Sequence, residues 1–266
     1  MNRVLAPGFA LLVLTTVCFS ADKPRGPARE DGVRPGSAGG ALVFHEKSKT
    51  PLPAGYKLLY EQSFDDQSAL SQFVMTDPAA WKWATEKGGA LELVQQSQYT
   101  PAVRSPFNIA LIADRVFGDF ILEADLIQTG KEYGHRDMCL FFGFQNPTNF
   151  YYAHIATAAD EHAHNIFIVK NQPRTRIAKE TTRGVNWGLN AWHKVRLERN
   201  TFAGTIKVYF DDLSKPIMVA SDKTFGPGCV GFGSFDDTGK VDNIRIWGPS
   251  AETKKTDFFP RPRAAP

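Results

Sequence analysis

The chain reads as an all-β protein, a jelly-roll β-sandwich of two antiparallel sheets. Three observations predict it. Phenylalanine is abundant, at 20 residues against 4 methionines, and aromatic side chains suit a pleated surface. Short β-prone runs recur with Gly, Asn, Asp and Pro turn signals between them, which is the pattern of sandwiches and barrels. No run of a dozen residues carries a capped helical period.

The ends come off first. Arg3 followed by the apolar stretch Phe9–Phe19 reads as an export signal, too short to span a bilayer, with cleavage after Ser20. The expected product is secreted or periplasmic, with no membrane span in the mature chain. Residues 21–53, with runs such as PRGPARED and RPGSAGG, bury too little apolar surface to offset their ordering entropy and read as a linker. Residues 249–266, ending FFPRPRAAP, read as a flexible tail. The jelly roll is then 54–248. Its core is well supplied, since 42% of the chain is hydrophobic. A net charge of only +3, with no clustered basic face, excludes a nucleic-acid footprint. Cys139 and Cys229 sit in apolar runs and read as buried free thiols. An oxidising compartment leaves a pair between them as the alternative.

Within 54–248, Tyr56–Phe64 opens the domain and Ser68–Phe73 reads as one helical turn. Trp81–Ala84 and Ala90–Gln95 follow, joined across Lys87-Gly88-Gly89. Asp119–Gln128 alternates, with Phe120, Leu122, Ala124 and Leu126 on one face and Ile121, Glu123, Asp125 and Ile127 on the other. Met138–Gln145 is apolar on both faces and reads as a central strand. Phe150–Ile155 and Ile166–Lys170 flank a polar insert; His193–Arg199, Ile206–Phe210, Val230–Phe235 and Val241–Trp247 complete the set.

The chemistry concentrates in FYYAHIATAADEHAHNIFIVK, residues 150–170. His154 lies on the first run and His162 and His164 in the insert, sharing a face if the second strand starts early. Neutral imidazoles converging from adjacent strands ligate a divalent metal or act as a general base near neutral pH. His154, His164 and Glu161 are therefore the candidate catalytic groups. Tyr152 shares strand parity with His154, which places Tyr151 in the core. Aromatic faces stack on pyranose rings and Arg forks grip hydroxyls or carboxylates. On that ground Tyr152, Arg136, His162, Trp187 and Arg174 are the candidate substrate contacts.

A family becomes visible in the order of the pieces: LLYEQSFDD, a W-x-W followed by GGALEL, FGDFILEADL, FFGFQNPTNFYYAHI, WHKVRLERN, GTIKVYFDD, GPGCVGFGSFDDTG and VDNIRIWG. Together they resemble the concanavalin A-like (LamG-like) jelly-roll domains, and are similar to the 3-keto-disaccharide hydrolase domain family. The resemblance implies binding or processing of an oligosaccharide or polysaccharide, including hydrolase or lyase action on (3-keto) glycosides. It equally implies a non-catalytic adhesion or envelope-binding module. Such domains often carry a structural calcium ion; their adjacent termini would bring Asp65 and Asp242 together as its ligands. Glu123-Ala-Asp125-Leu-Ile-Gln128 resembles the laminarinase-type signature, but Gln128 cannot exchange the required proton. That segment reads as a solvated or Arg-paired strand face.

Overall fold

The computed structural model of the protein describes residues 52–262. The expected export signal and most of the expected linker lie outside the described residues. The strands are, in chain order, β1 (Lys57–Gln62), β2 (Phe73–Met75), β3 (Trp81–Ala84), β4 (Ala90–Leu93), β5 (Asn108–Ile112) and β6 (Arg115–Phe117). Then come β7 (Phe120–Gln128), β8 (Asp137–Asn146), β9 (Asn149–Ala156), β10 (Asn165–Lys170), β11 (Thr175–Arg176) and β12 (Ala178–Thr181). The last are β13 (His193–Arg199), β14 (Thr205–Phe210), β15 (Met218–Ser221), β16 (Cys229–Ser234), β17 (Gly239–Gly248) and β18 (Ala251–Thr253).

They form a nine-stranded sheet, β12-β15-β14-β13-β7-β17-β4-β3 with β1 also on β17, and a seven-stranded sheet, β11-β10-β9-β8-β16-β5-β2. The ladders of both are antiparallel. The expected two-sheet, all-β sandwich is what the chain adopts. The expected helical turn is a 3-10 segment at Gln67–Gln72, capped by the Asp66 side chain. The Lys87-Gly88-Gly89 turn joins β3 to β4, and a Cβ at Gly89 would lie 1.7 Å from the Phe64 carbonyl oxygen. Only glycine fits there.

The period-2 pattern of β7 sorts its residues as expected. Leu122, Ala124 and Leu126 join Leu140 and Phe142 of β8 and Tyr151, Ala153 and Ile155 of β9 in the core between the sheets. The opposite face of β7 is ion-paired. Register sets Glu123 beside Arg196 and Asp125 beside Lys194. Arg196 Nε donates to Glu123 at 3.0 Å, and Lys194 Nζ reaches Asp125 at 2.6 Å.

The seven-stranded sheet is buried on both faces. On its outer side Val74, Ile109, Leu111, Cys139, Phe141, Phe150, Tyr152, Phe167 and Val169 form a second apolar layer. Tyr99, Val103, Phe258 and Phe259 pack against that layer. This corrects the expectation of a loose tail from residue 249 and extends the folded chain past 248. β18 pairs with β6, Met75 N–H donates to the Pro260 carbonyl at 2.9 Å, and the Phe259 ring packs edge-on to Tyr99 at 5.6 Å. The Asp114 carboxylate takes Thr256 N–H at 3.0 Å and pairs with Arg261 at 2.6 Å. The two phenylalanines supply the apolar area that the Pro- and Arg-rich sequence around them masks. Cys139 and Cys229 are both buried and free. Among the described residues no helix is long and apolar enough to cross a membrane.

Candidate functional site

The histidine stretch divides between a closed network and an open rim. β10 begins at Asn165, opposite His154 on β9, so the insert 157–164 ends in a turn instead of extending the strand. His164 closes that turn with φ 49°, a left-handed conformation that His tolerates better than most side chains. Its imidazole turns inward and is fully buried. His162 stays exposed. The two histidines therefore do not share a face.

His164 N–H donates to His154 Nδ1 at 3.2 Å. The ring proton of His154 is thereby left on Nε2, which lies 3.4 Å from Asp137 Oδ2. His164 Nδ1 accepts from Ala156 N–H at 3.3 Å, so its Nε2–H donates to Thr182 Oγ1 at 2.9 Å. Burial, then the neighbouring His154, lowers the His164 pKa to about 4; it is neutral at physiological pH. Asp137 is wholly buried. Ser234 Oγ donates to it at 2.8 Å, Phe235 N–H at 3.0 Å and Cys139 Sγ at 3.1 Å. Burial pushes that carboxyl up, but His154 and these donors outweigh it and the net shift is down.

Several sequence-derived candidates are corrected by this placement. His154, at 2% exposure, and His164 have no open side from which to meet a substrate. Tyr152 stacks on Phe167 at 5.1 Å and Phe141 at 5.9 Å inside the second apolar layer, with no face left for a sugar. The parity argument that set Tyr151 in the inter-sheet core and Tyr152 with His154 holds; the chain segments covering that face were the unread part. Trp187 is 1% exposed, packed edge-on to Phe210 and His193, and is a core anchor. Arg136 is buried, donating Nη1–H to Gly188 O at 2.8 Å and Nη2–H to Gln128 O at 3.0 Å; it braces the end of β7 against the Gly188 loop.

The open part is a cleft of about 370 Å³ lined by Arg104, Glu161, His162, Phe167, Pro173, Arg174, Thr175 and Arg176. That volume lies within the usual range of ligand sites. Pro173 and Arg174 lead out of the hairpin between β10 and β11, where Arg176 pairs with Phe167. Arg174 N–H donates to the Arg104 carbonyl at 3.1 Å, which fixes the two loops side by side. The Arg174 guanidinium lies over Phe235 at 4.2 Å and over Phe167 at 4.8 Å, and Nη1 donates to Tyr152 Oη at 2.8 Å. Tyr152 thus reaches the cleft through Arg174. Asp160 shapes the loop by accepting His162 N–H at 2.6 Å and Ala163 N–H at 2.9 Å, while its other oxygen meets His135. Arg104, which the sequence reading missed, carries no local signal; it arrives from a loop distant in sequence. A larger groove of about 530 Å³ runs past Trp81, Trp83 and Pro260. Trp81 is buried there, and Trp83 Nε1–H is spent on the Phe64 carbonyl at 2.7 Å.

Beside the cleft, Asp137, Asp236 and Asp237 each offer an oxygen within 4.8 Å of the others, and Asp137, Cys139 and His154 form a second such group. Carboxylate oxygens suit a hard cation. Burial, then the charge of Asp137, lifts Asp237 to about 6 and raises Asp236 as well. The mixed group fits a metal less well, because His154 Nδ1 already accepts a hydrogen bond and Nε2 holds the proton. Asp65 and Asp242 belong to neither group, which moves the acidic cluster away from the expected pair. The two are neighbours nonetheless: burial, Asp125 and Asp65 together lift Asp242 to about 6. Asp242 spends its oxygens on Asn243, at 2.6 Å and 3.1 Å.

No protein-family model matches the chain, and no curated protein does. Among solved structures it is similar to the carbohydrate-binding module CBM66 from Bacillus subtilis, at 21% identity and TM-score 0.46, over 68% of this chain and 96% of that one. It is similar to domain 4 of AbnA, a GH43 extracellular arabinanase from Geobacillus stearothermophilus, in complex with arabinotriose: 12% identity, TM-score 0.45, 76% and 95% covered. It is also similar to the metal-free form of lectin I-B4 from Griffonia simplicifolia, at 12% identity and TM-score 0.46, with 73% and 99% covered. All three are likenesses of fold, and none assigns a role to a residue of this chain.

Proposed function

We propose that the protein is an exported saccharide-binding β-sandwich that takes its ligand in the cleft between Arg104, Glu161, His162, Arg174 and Arg176. The observation that carries the reading is the convergence of these polar side chains from three loops on one open cleft, whose exposed apolar part is Pro173. Sugar sites combine the same two elements, an apolar surface and a few oriented hydrogen-bonding groups. Glu161 accepts from hydroxyls, and the arginines donate to ring and hydroxyl oxygens. A divalent cation, calcium by its preference for oxygen, would sit at Asp236 and Asp237 beside the cleft. Action as a hydrolase or lyase on (3-keto) glycosides is the second reading, and Glu161 with His162 is the solvent-facing pair that favours it.

Calorimetric titration of the protein with a panel of oligosaccharides, with and without a chelator, tests both readings. Binding should weaken about tenfold or more when Glu161→Ala removes a charged hydrogen-bond partner. Turnover of a 3-keto disaccharide that vanishes in Glu161→Gln while affinity persists would make the cleft catalytic. The proposal fails if no saccharide binds.

A further inference from the structure

Three arginines and one glutamate line the cleft, and their charges are not balanced locally. Arg174 is accounted for. Its guanidinium is held by Tyr152 Oη and two rings, and it lies close enough to Asp236 to favour that carboxylate's ionised form. Asp160 is spent on His135 and its own loop. Arg104 and Arg176 are exposed, and among the described residues neither guanidinium has a hydrogen bond or ion pair. They face the same cleft as Glu161, whose single charge cannot neutralise both. Nor is the chain as a whole basic enough to make such a local excess routine, with a net charge of +3.

The Arg174 N–H bond to the Arg104 carbonyl fixes the Arg104 loop beside the hairpin that carries Arg176, so two exposed guanidinium groups share one cleft and favour an anion there. We infer that the ligand of this cleft is an acidic saccharide, one carrying a carboxylate or sulfate group, gripped by Arg104 and Arg176 while Arg174 stays fixed as the floor. The inference rests on the saccharide reading above and names its class. Guanidinium forks match both oxyanions in bidentate geometry. Glu161 sets the orientation: it repels the acidic group from its own side and accepts from a neighbouring hydroxyl.

The test compares oligogalacturonate, its fully methyl-esterified neutral counterpart and a heparin-derived sulfated oligosaccharide, titrated into the full chain and into Arg104→Gln/Arg176→Gln. Both positions are on the surface, so the variant should keep the parent's melting temperature. The expected result is at least tenfold preference for the carboxylated or sulfated ligand over the neutral one, lost in the double variant and weakened by salt. The preferred acidic ligand tells carboxylate from sulfate. Equal binding of the neutral ester overturns the inference and leaves saccharide binding standing. Competition by inorganic sulfate as strong as that of the oligosaccharide overturns it in favour of simple anion binding. No binding of any sugar overturns both readings.

Discussion

Residues 150–176 build two regions of opposite character. The outer face of β9 and β10 holds Tyr152, His154 and Phe167 with His164 and Asp137, all buried and hydrogen-bonded or stacked. A few residues further on, Glu161, His162 and Arg176 are exposed. The residue types are similar, and both regions have what catalysis or recognition uses. They differ in what lies on top. The loop before β5, with Tyr99 and Val103, and the segment after β18, with Phe258 and Phe259, cover the first region; nothing among the described residues covers the second. A strand face is therefore a site or a core according to segments distant in sequence.

Removing the polar centre of the closed region should break it most severely. Asp137→Ala leaves His154, Ser234 and the Phe235 N–H without their common acceptor, and loss of one partner from a buried charged pair costs about 3–5 kcal/mol. Thermal melting should show a large fall in Tm, whereas an unchanged Tm would mean that the face is solvated and open. Phe259→Ala tests the cover itself. Truncating a buried phenylalanine costs about 3–5 kcal/mol, at the low end here because the ring sits at the edge of its layer. The same variant should admit solvent to the thiol of Cys229, which lies opposite Phe144, the ring that Phe259 packs on, giving faster modification by a thiol reagent.

The comparison also sharpens with pH, through two groups of opposite sign. His164 falls from an ordinary 6.5 to about 4, so the unfolded chain takes up a proton first. Its contribution to stability is complete above 6.5 and lost as pH falls toward 4. Asp237 rises from 3.8 to about 6, so the native state keeps its proton longer. That contribution is complete below 3.8 and lost as pH rises to about 6. Asp237→Asn keeps an oxygen for Tyr133 and the Asp137 N–H and should raise Tm at pH 7 relative to pH 4. His164→Gln should flatten the decline between pH 6.5 and 4. Parallel pH profiles in the variants and the parent would contradict both assignments.

The sandwich was legible because period 2 is written into β7, where Leu122, Ala124 and Leu126 alternate with Glu123 and Asp125, and because β8 reads as a central strand apolar on both faces. Gln128 broke the catalytic pattern on β7 and left a solvated or an Arg-paired face, and the buried Arg196–Glu123 pair settles which. β5 carried a readable apolar run, NIALI, that went unassigned; β12, AKET, carries no strand signal and is held by its neighbour β15. The cleft was half legible. Glu161 and His162 lie in the marked stretch 150–170 and Arg174 just past its end, whereas Arg104 joins them through a single backbone hydrogen bond from Arg174. The burial of His154, His164, Arg136 and Trp187 depends on tertiary cover that no local pattern encodes.

The smallest expected effect on stability belongs to the open rim. Glu161 and His162 are exposed, and the described structure assigns their side chains no partner. Substitutions at such positions normally stay within about 0.5 kcal/mol. Glu161→Ala and His162→Ala should therefore leave Tm and the pH profile of unfolding unchanged, in contrast to Asp137→Ala nearby. A destabilisation comparable to that of Phe259→Ala would show that the insert packs more tightly than its exposure implies, and would merge the two regions into one. Unchanged stability combined with lost oligosaccharide affinity would keep them separate: one face holds the sheet together, and the rim beside it meets the ligand.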